Sequence, residues 1–346
     1  MTALTNNLQP MSMSQLLDRA IRLYRNNFLI FVGIVAIAQI PATAVNMIGL
    51  WLAPTPELNF SPAASVTDIW LQTLESAGLG NNPWVWLGRL ITLLLVQLAT
   101  AAMTKAVAEN FLGHKIGLFD AYRKIGRSGL TLLLATFVGV VLIIAIVIWW
   151  LVVPCLGWFT GFGILFFFSG IVLPLIAPVI VLERRTALEG IKRAWNLARR
   201  RFWWIIGFML LLGLFGQLIV TGPALLSVFI VQGSFGGGLD SNTANLVQQV
   251  ISLLLNLIYL PLRLACVTLL YFDMRVRTEG FDLAVLALSD DANADNLALT
   301  APGLGQSIMP SWEEFGYFAL ITVAFVVLYI ALVLGVVVLS LGIGGL

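Results

Sequence analysis

The sequence predicts an all-α fold, a polytopic bundle of transmembrane helices, and two observations support this prediction. Of the 346 residues, 60% are hydrophobic and only 10% are charged, whereas soluble domains carry about 25% charged residues. The mean hydropathy is +0.97, and the apolar residues gather into segments long enough to cross about 30 Å of hydrocarbon at about 1.5 Å per residue. Seven segments qualify, at 28–53, 84–112, 130–153, 157–182, 202–232, 246–272 and 316–344.

The lysines and arginines lie on one side of these segments. Sixteen of the 19 lie before span one, between spans two and three, between spans four and five, or after span six. The connections on the other side, at 54–83, 154–156 and 233–245, contain none. Because cytoplasmic loops carry the excess of Lys and Arg, this pattern predicts a cytoplasmic N-terminus. With an odd number of spans, the C-terminus is then expected on the outer side.

The first span has a competing interpretation as a secretory leader. The triplet Ala42, Thr43 and Ala44 resembles a small-x-small cleavage site, and arginines precede the apolar run. Such a leader would be about 44 residues long, well beyond the usual 15–30 or so. Its basic part is also a well-formed amphipathic helix. We therefore expect a retained span, with cleavage as the alternative.

Basic amphipathic segments precede spans one, three and five. In residues 12–26 apolar side chains recur at helical spacing and arginines occupy the opposite face, while Ser12 and Gln15 form a capping-box pattern. Residues 186–200 repeat this construction, and residues 118–127 give a weaker copy. Spans one to six therefore predict three units, each a basic amphipathic helix followed by a helical hairpin. The parallel topology of the units suggests a pseudo-threefold arrangement or a duplication.

These patterns predict four regions along the chain. An N-terminal tail covers 1–11, and a six-span membrane domain covers 12–288. An acidic and polar cytoplasmic linker at 289–315 joins this domain to an extra C-terminal transmembrane helix at 316–346.

The basic segments also predict partners. An amphipathic helix with arginines on its polar face should lie at the membrane surface, where each cation contributes about 1 kcal/mol towards anionic lipid. We expect anionic membrane lipids at the cytoplasmic face, and no nucleic acid. The candidate lipid contacts are Arg19, Arg22, Arg25, Lys192, Arg193, Arg199, Arg200 and Arg201.

Charges within the spans form the second group of candidates, because their burial is costly. One interpretation is a polar site for a lipid headgroup or a transported ion near the cytoplasmic leaflet. The other is an ion-pair network that holds the bundle together, or long side chains that reach to the interface. The candidate residues are Lys105, Glu109, Glu183 and Arg263.

No catalytic or metal-binding pattern is present in the sequence. The motifs H-E-x-x-H and G-x-S-x-G and the phosphate-binding loop are all missing. Cys155 and Cys266 lack metal-ligand spacing, and His114 is the single histidine. We therefore expect no enzymatic activity, catalytic residue, metal or cofactor.

Three stretches together carry a resemblance to a known family: MSQLLDRAIRLYRNNFLIFVGI (13–34), LEGIKRAWNLARRRFWWIIGFMLLLGLFG (188–216) and LPLRLACVTLLYFDMRVRTEGFDLAVLA (260–287). Over most of 12–288 the chain resembles the bacterial glycerophosphoryl diester phosphodiesterase membrane domain family. The resemblance implies a multi-span region that is fused, in the founding arrangement, to a soluble phosphodiesterase barrel of about 250 residues. This chain is similar to the membrane region alone, so the hydrolytic activity does not carry over. The resemblance also implies a bacterial plasma membrane.

Two functions remain open at this point. The basic segments favour a non-catalytic accessory protein or lipid-associated scaffold, and so does the absence of catalytic motifs. Kinked spans and the charges within them favour the alternative, a transporter or channel for lipids or small glycerol-derived solutes.

Overall fold

The computed structural model describes residues 9–52, 83–224, 226–227, 241–287, 295–301 and 310–343. The predicted outer loop at 54–83 and most of 233–245 and 289–311 lie outside the described residues. Within these ranges every regular element is helical. The helices are α1 (Met13–Asn26), α2 (Phe28–Leu52), α3 (Pro83–Phe111), α4 (Leu118–Arg123), α5 (Arg127–Val152), α6 (Leu156–Glu183), α7 (Ala187–Arg199), α8 (Phe202–Ala224), α9 (Ser241–Glu279), α10 (Phe281–Ala287) and α11 (Trp312–Ile343).

Seven of these helices (α2, α3, α5, α6, α8, α9 and α11) are long and apolar enough to cross a membrane. They correspond to the seven predicted spans, which confirms the all-α polytopic fold class. The predicted end of span six at 272 is too early, since α9 continues to Glu279. Salt bridges four residues apart, Asp273 with Arg277 and Arg275 with Glu279, support the additional helical turns.

Spans one to six form the three predicted units. Each unit is a short helix followed by a hairpin: α1 with α2 and α3, α4 with α5 and α6, and α7 with α8 and α9. The second helices of the hairpins, α3, α6 and α9, pack against one another. We call them the inner helices. Since every unit contacts the other two through its inner helix, the contacts form a closed ring, as a pseudo-threefold arrangement would require.

The short basic helices complete this ring at one end of the bundle. Helix α4 packs on α3, helix α7 on α6, and α1 on α9, so each contacts the inner helix of the preceding unit. The α1–α9 contact closes the ring between distant parts of the chain, where the hydroxyl of Tyr24 donates to the carbonyl of Ile258 at 3.0 Å. We call this end, where α1, α4 and α7 lie, the basic end.

Local sequence explains how the short helices begin and end. The Ser12 hydroxyl accepts from the Gln15 amide and the Gln15 side chain accepts from the Ser12 amide, as the capping box predicts. The third basic segment is shorter than the predicted 118–127, since α4 ends at Arg123. Gly126, with φ of +51°, turns the chain into α5.

The apolar faces of these helices pack largely on protein. Leu16, Ala20 and Tyr24 of α1 are buried, and so are Ile191 and Trp195 of α7. The amphipathic pattern therefore reflects packing against the inner helices, as well as any contact with lipid.

The seventh span, α11, lies outside the three units and packs against α6. The closest approach is at Gly163, where a Cβ atom would overlap the carbonyl oxygen of Phe318. The Gly163 amide also donates to the hydroxyl of Thr322 at 2.9 Å. At the start of α11, Ser311 and Glu314 form a capping box. Outward-facing apolar residues of α11, such as Val327 and Leu334, are more than half exposed, as helices that face lipid require.

Candidate functional site

The charged side chains that the spans bury are concentrated at the basic end. Near this end each inner helix has a buried carboxylate that pairs with the short helix of the next unit or with a residue flanking that helix. Glu109 of α3 pairs with Lys124 after α4, with their nearest charged atoms 3.4 Å apart. Glu183 of α6 pairs with Arg193 of α7. These pairs repeat a single arrangement in successive units.

The third carboxylate closes the ring. Asp273 of α9 accepts a hydrogen bond from the amide of Met11, which precedes α1, at 2.7 Å. Arg277 donates to the same carboxylate at 2.9 Å and to the Met11 carbonyl oxygen at 2.6 Å. The N-terminal segment is therefore held to α9 by charge-assisted hydrogen bonds.

Glu183 and Glu279 share two arginines in a buried network. Arg193 reaches both carboxylates, with its Nε 3.2 Å from Glu183 and its Nη2 2.6 Å from Glu279. Arg275, which is 1% exposed, donates through Nε to Glu279 at 3.2 Å. Tyr271 donates its hydroxyl hydrogen to Glu183 at 2.9 Å. The two buried arginines thus face two buried carboxylates, as buried charges require, and Arg185 adds a third cation 3.6 Å from Glu183.

This network also fixes part of the linker. Nη2 of Arg275 donates to the carbonyl oxygen of Thr300 at 2.7 Å, at the end of a single 3₁₀ turn (Leu297–Thr300). Burial alone would lower the pKa of Arg193, but its hydrogen bond to Glu279 and the charges of Glu183 and Glu279 outweigh burial, so the pKa is raised. The arginine therefore stays charged, and the network joins α6, α7, α9 and the linker.

A second group of charges surrounds Asp295. The ammonium group of Lys105, whose side chain is 3% exposed, donates to Oδ1 of Asp295 at 2.7 Å. Arg184 and Lys124 lie 3.3 Å and 3.9 Å from the same carboxylate. Burial alone would raise the pKa of Asp295. The hydrogen bond and charge of Lys105, together with the charges of Lys124 and Arg184, outweigh burial, so the pKa of Asp295 lies below its usual value.

Asp295 lies in a pocket of about 590 Å³ between α3, the start of α5 and the end of α6. We call it the basic pocket. Five cations and several hydroxyl groups line it, and Asp295 is the one carboxylate among the described lining residues. The polar lining residues are Lys105, Lys124, Arg127, Ser128, Thr131, Arg184, Arg185, Thr186 and Asp295.

The structure separates the four predicted intramembrane residues. Lys105 and Glu109 belong with the group around Lys124 and Asp295. Glu183 belongs to the arginine network and is not among the residues that line the basic pocket. Arg263 is exposed on α9, and none of the described ion pairs joins it to the other three.

The eight predicted lipid contacts fall into two groups. Arg22, Arg25, Lys192 and Arg200 are exposed. The others are at least partly covered by protein. Arg193 is 7% exposed within the network, Arg199 pairs with Glu314 at 2.5 Å, and Arg201 lies over the Trp204 ring. Arg19 lies 4.8 Å from the Phe111 ring centroid, and its pKa is lowered by burial and then by the charge of Arg22.

Several central residues were not among the sequence candidates. Arg275 and Arg277 lie beyond the predicted end of span six, although their spacing from Glu279 and Asp273 is helical and indicates their pairing. Asp295 gave no local signal, since its partner Lys105 is 190 residues away. The described residues contain no group of three His, Cys, Asp or Glu that could hold a metal ion.

Fold and site together define a class: a polytopic α-helical membrane protein with a layer of paired charges, and a basic pocket, at one end of the bundle. No family model, curated protein or solved structure matches the chain.

Proposed function

We propose that this chain is a non-catalytic integral membrane protein that associates with anionic lipids at its basic end, as an accessory protein or lipid-associated scaffold. The observation that carries the proposal is a set of exposed cations at the basic end that the ion pairs within the protein do not neutralise. Arg22, Arg25 and Lys192 are exposed and make no ion pair with any described residue. Cations beside a membrane surface attract anionic lipid over about a Debye length.

We propose that the basic end faces the cytoplasm of a bacterial cell, with the membrane being the plasma membrane. The distribution of Lys and Arg supports this orientation, which places the start of α11 on the cytoplasmic side and its far end outside. Membership of the glycerophosphoryl diester phosphodiesterase membrane domain family is likewise a proposal, supported by the residue patterns within 12–288. It implies no hydrolytic role for the residues of this chain.

Transport of lipids or small glycerol-derived solutes is the alternative function. It would use the charges within the spans, but Lys105, Glu109 and Glu183 are all engaged at the basic end. This placement favours binding at one membrane surface over a polar path across the membrane.

The test compares the full-length protein in vesicles of phosphatidylcholine alone and in vesicles that also contain phosphatidylglycerol. Enrichment of fluorescent anionic lipid around the protein, measured by energy transfer from its tryptophans, is the expected result. Replacing Arg22, Arg25 and Lys192 with Gln should reduce that enrichment, whereas Arg89→Gln, outside the basic end, should not. Equal transfer from anionic and zwitterionic lipid would refute the proposal. Lipid or solute flux in the same vesicles would establish the alternative.

A further inference from the structure

Among the residues that the structure describes, the cations lining the basic pocket outnumber the carboxylates beside them. Five cations line it, against the single lining carboxylate of Asp295. Two further carboxylates lie behind the lining, with Glu109 3.4 Å from Lys124 and Glu183 3.6 Å from Arg185. Even when both are counted, the cations exceed the anions among the described residues.

Asp295 holds the position that an external anion would take. Its carboxylate accepts from the buried ammonium group of Lys105 and lies within 3.3 Å of the guanidinium group of Arg184. Lys105 needs such a partner, because an unpaired charge at 3% exposure is costly. Asp295, by contrast, belongs to the linker and is 38% exposed. A second anion can therefore approach this carboxylate from the open side of the pocket.

We propose that the basic pocket is a binding site for a phosphate group, and that Asp295 is the internal anion that the phosphate displaces. The inference rests on the proposed association with anionic lipid, and it names one site and one ligand chemistry for it.

The chemistry of the lining fits phosphate. A guanidinium group presents paired donors that match two phosphate oxygens, and an ammonium group supplies a point charge. Ser128, Thr131 and Thr186 add hydroxyl groups at the lining. The volume of about 590 Å³ lies within the range of small-ligand sites, roughly 300–1,000 Å³. Basic pockets between transmembrane helices near a membrane surface bind anionic headgroups in other proteins.

Exchange of one anion for another keeps Lys105 paired throughout. The phosphate takes over the contacts to Lys105 and Arg184, and the Asp295 carboxylate moves out to solvent. The linker stays attached through Thr300, which Arg275 holds in the separate arginine network. Binding of phosphate therefore frees residue 295 without releasing the 3₁₀ turn.

The test measures binding to the full-length protein in a neutral detergent by native mass spectrometry. One arm titrates phosphatidic acid, and the other titrates inorganic phosphate and glycerol 3-phosphate, so that a membrane lipid and a free phosphate are distinguished. The variants are Asp295→Asn and the double variant Lys124→Gln with Arg184→Gln. The matched control is Arg123→Gln, which removes an exposed cation of the same segment that pairs with Asp120.

We expect the double variant to bind about tenfold more weakly or worse, since the guanidinium contact of Arg184 and the nearby charge of Lys124 are both lost. Asp295→Asn should bind more tightly than the native protein, because the competing charge is gone; a loss of folding cannot produce that gain. Arg123→Gln should bind like the native protein.

Equal binding by the double variant and the control, or weaker binding by Asp295→Asn, would overturn the inference. If Asp295→Asn, the double variant and Arg123→Gln all bind the phosphate ligands equally while the native protein still prefers anionic lipid, the pocket assignment fails and the proposed function stands. If the native protein shows no such preference, the proposed function fails with it.

Discussion

Nε of Arg193 lies 3.2 Å from Oε2 of Glu183, and the two side chains are 7% and 0% exposed. The pair joins the end of inner helix α6 to the basic helix α7. An arginine whose sequence pattern indicates a lipid contact is thus part of the internal framework. The basic segments therefore have two roles, since some of their cations hold the bundle together and others face outward.

Replacing Glu183 with Gln should strongly destabilise the protein. The change leaves Arg193 and Arg275 with one carboxylate between them, and breaking a buried pair costs about 3–5 kcal/mol. Thermal unfolding in detergent should show a marked fall in Tm. The control is Arg123→Gln, which breaks an exposed pair with Asp120 worth at most about 1 kcal/mol. Similar Tm values for both variants would argue against a structural role for the network.

Replacing Gly163 with Val should displace α11 from α6. A Cβ atom at this position would overlap the backbone of Phe318, which cannot move without moving the helix. The rings of Phe162 and Phe325 stack with centroids 4.0 Å apart, so Cys at these two positions, joined by a bifunctional thiol reagent, can report this contact in a background without Cys155 and Cys266.

We expect a high crosslinking yield when Gly163 is retained and a low yield after Gly163→Val. Gly316→Ala on α11 serves as the control, because a Cβ atom there meets no other atom within 4 Å. An unchanged yield after Gly163→Val would show that the close approach is not needed for docking.

Replacing Asp273 with Ala should loosen the N-terminal segment. Asp273 holds the Met11 amide at 2.7 Å and pairs with Arg277, and each charge-assisted bond contributes about 1.5–3 kcal/mol. Hydrogen exchange at Met11 and in the first turn of α1 should become faster. As a control, Asp18→Ala removes an exposed carboxylate of α1 itself and should leave the exchange rates unchanged. Native exchange rates in Asp273→Ala would contradict the anchoring role.

Two tyrosines predict an alkaline limit to stability. Burial raises the pKa of Tyr24 and of Tyr122 to about 12, above the ordinary value of about 10. A raised pKa means that the unfolded chain loses its protons first, so the stability is fully present below pH 10 or so and declines as pH rises towards 12. Unfolding followed from pH 8 to 12 or so should show this decline, and it should be smaller in Tyr122→Phe. A decline that begins well below pH 10 would have another origin.

The sequence predicts the spans well because their signal is local. Apolar length alone specifies seven helices, and the predicted turn at 154–156 falls where α5 ends at Val152 and α6 begins at Leu156. The capping boxes at Ser12 and Ser311 are also local, since donor and acceptor lie three residues apart.

The pairing of charges could not be predicted in the same way. Lys105 and Glu183 belong to one candidate set in the sequence, yet in the structure Lys105 pairs with Asp295 and Glu183 pairs with Arg193. Arg263 was expected to join them, but it lies on an exposed face of α9. Such choices depend on packing between helices that are distant in the sequence, and Asp295 reaches Lys105 from a linker that has no helical period.

The lipids that stay bound to the protein test the central claim most directly. The full-length protein should be purified in mild detergent from a membrane that contains both zwitterionic and anionic phospholipids, and its retained lipids identified by native mass spectrometry. We predict that anionic lipid is retained well above its share of the membrane, and that the excess falls when Arg22, Arg25 and Lys192 are replaced by Gln. Retained lipid that matches the bulk membrane composition, in native protein and variant alike, would contradict the account.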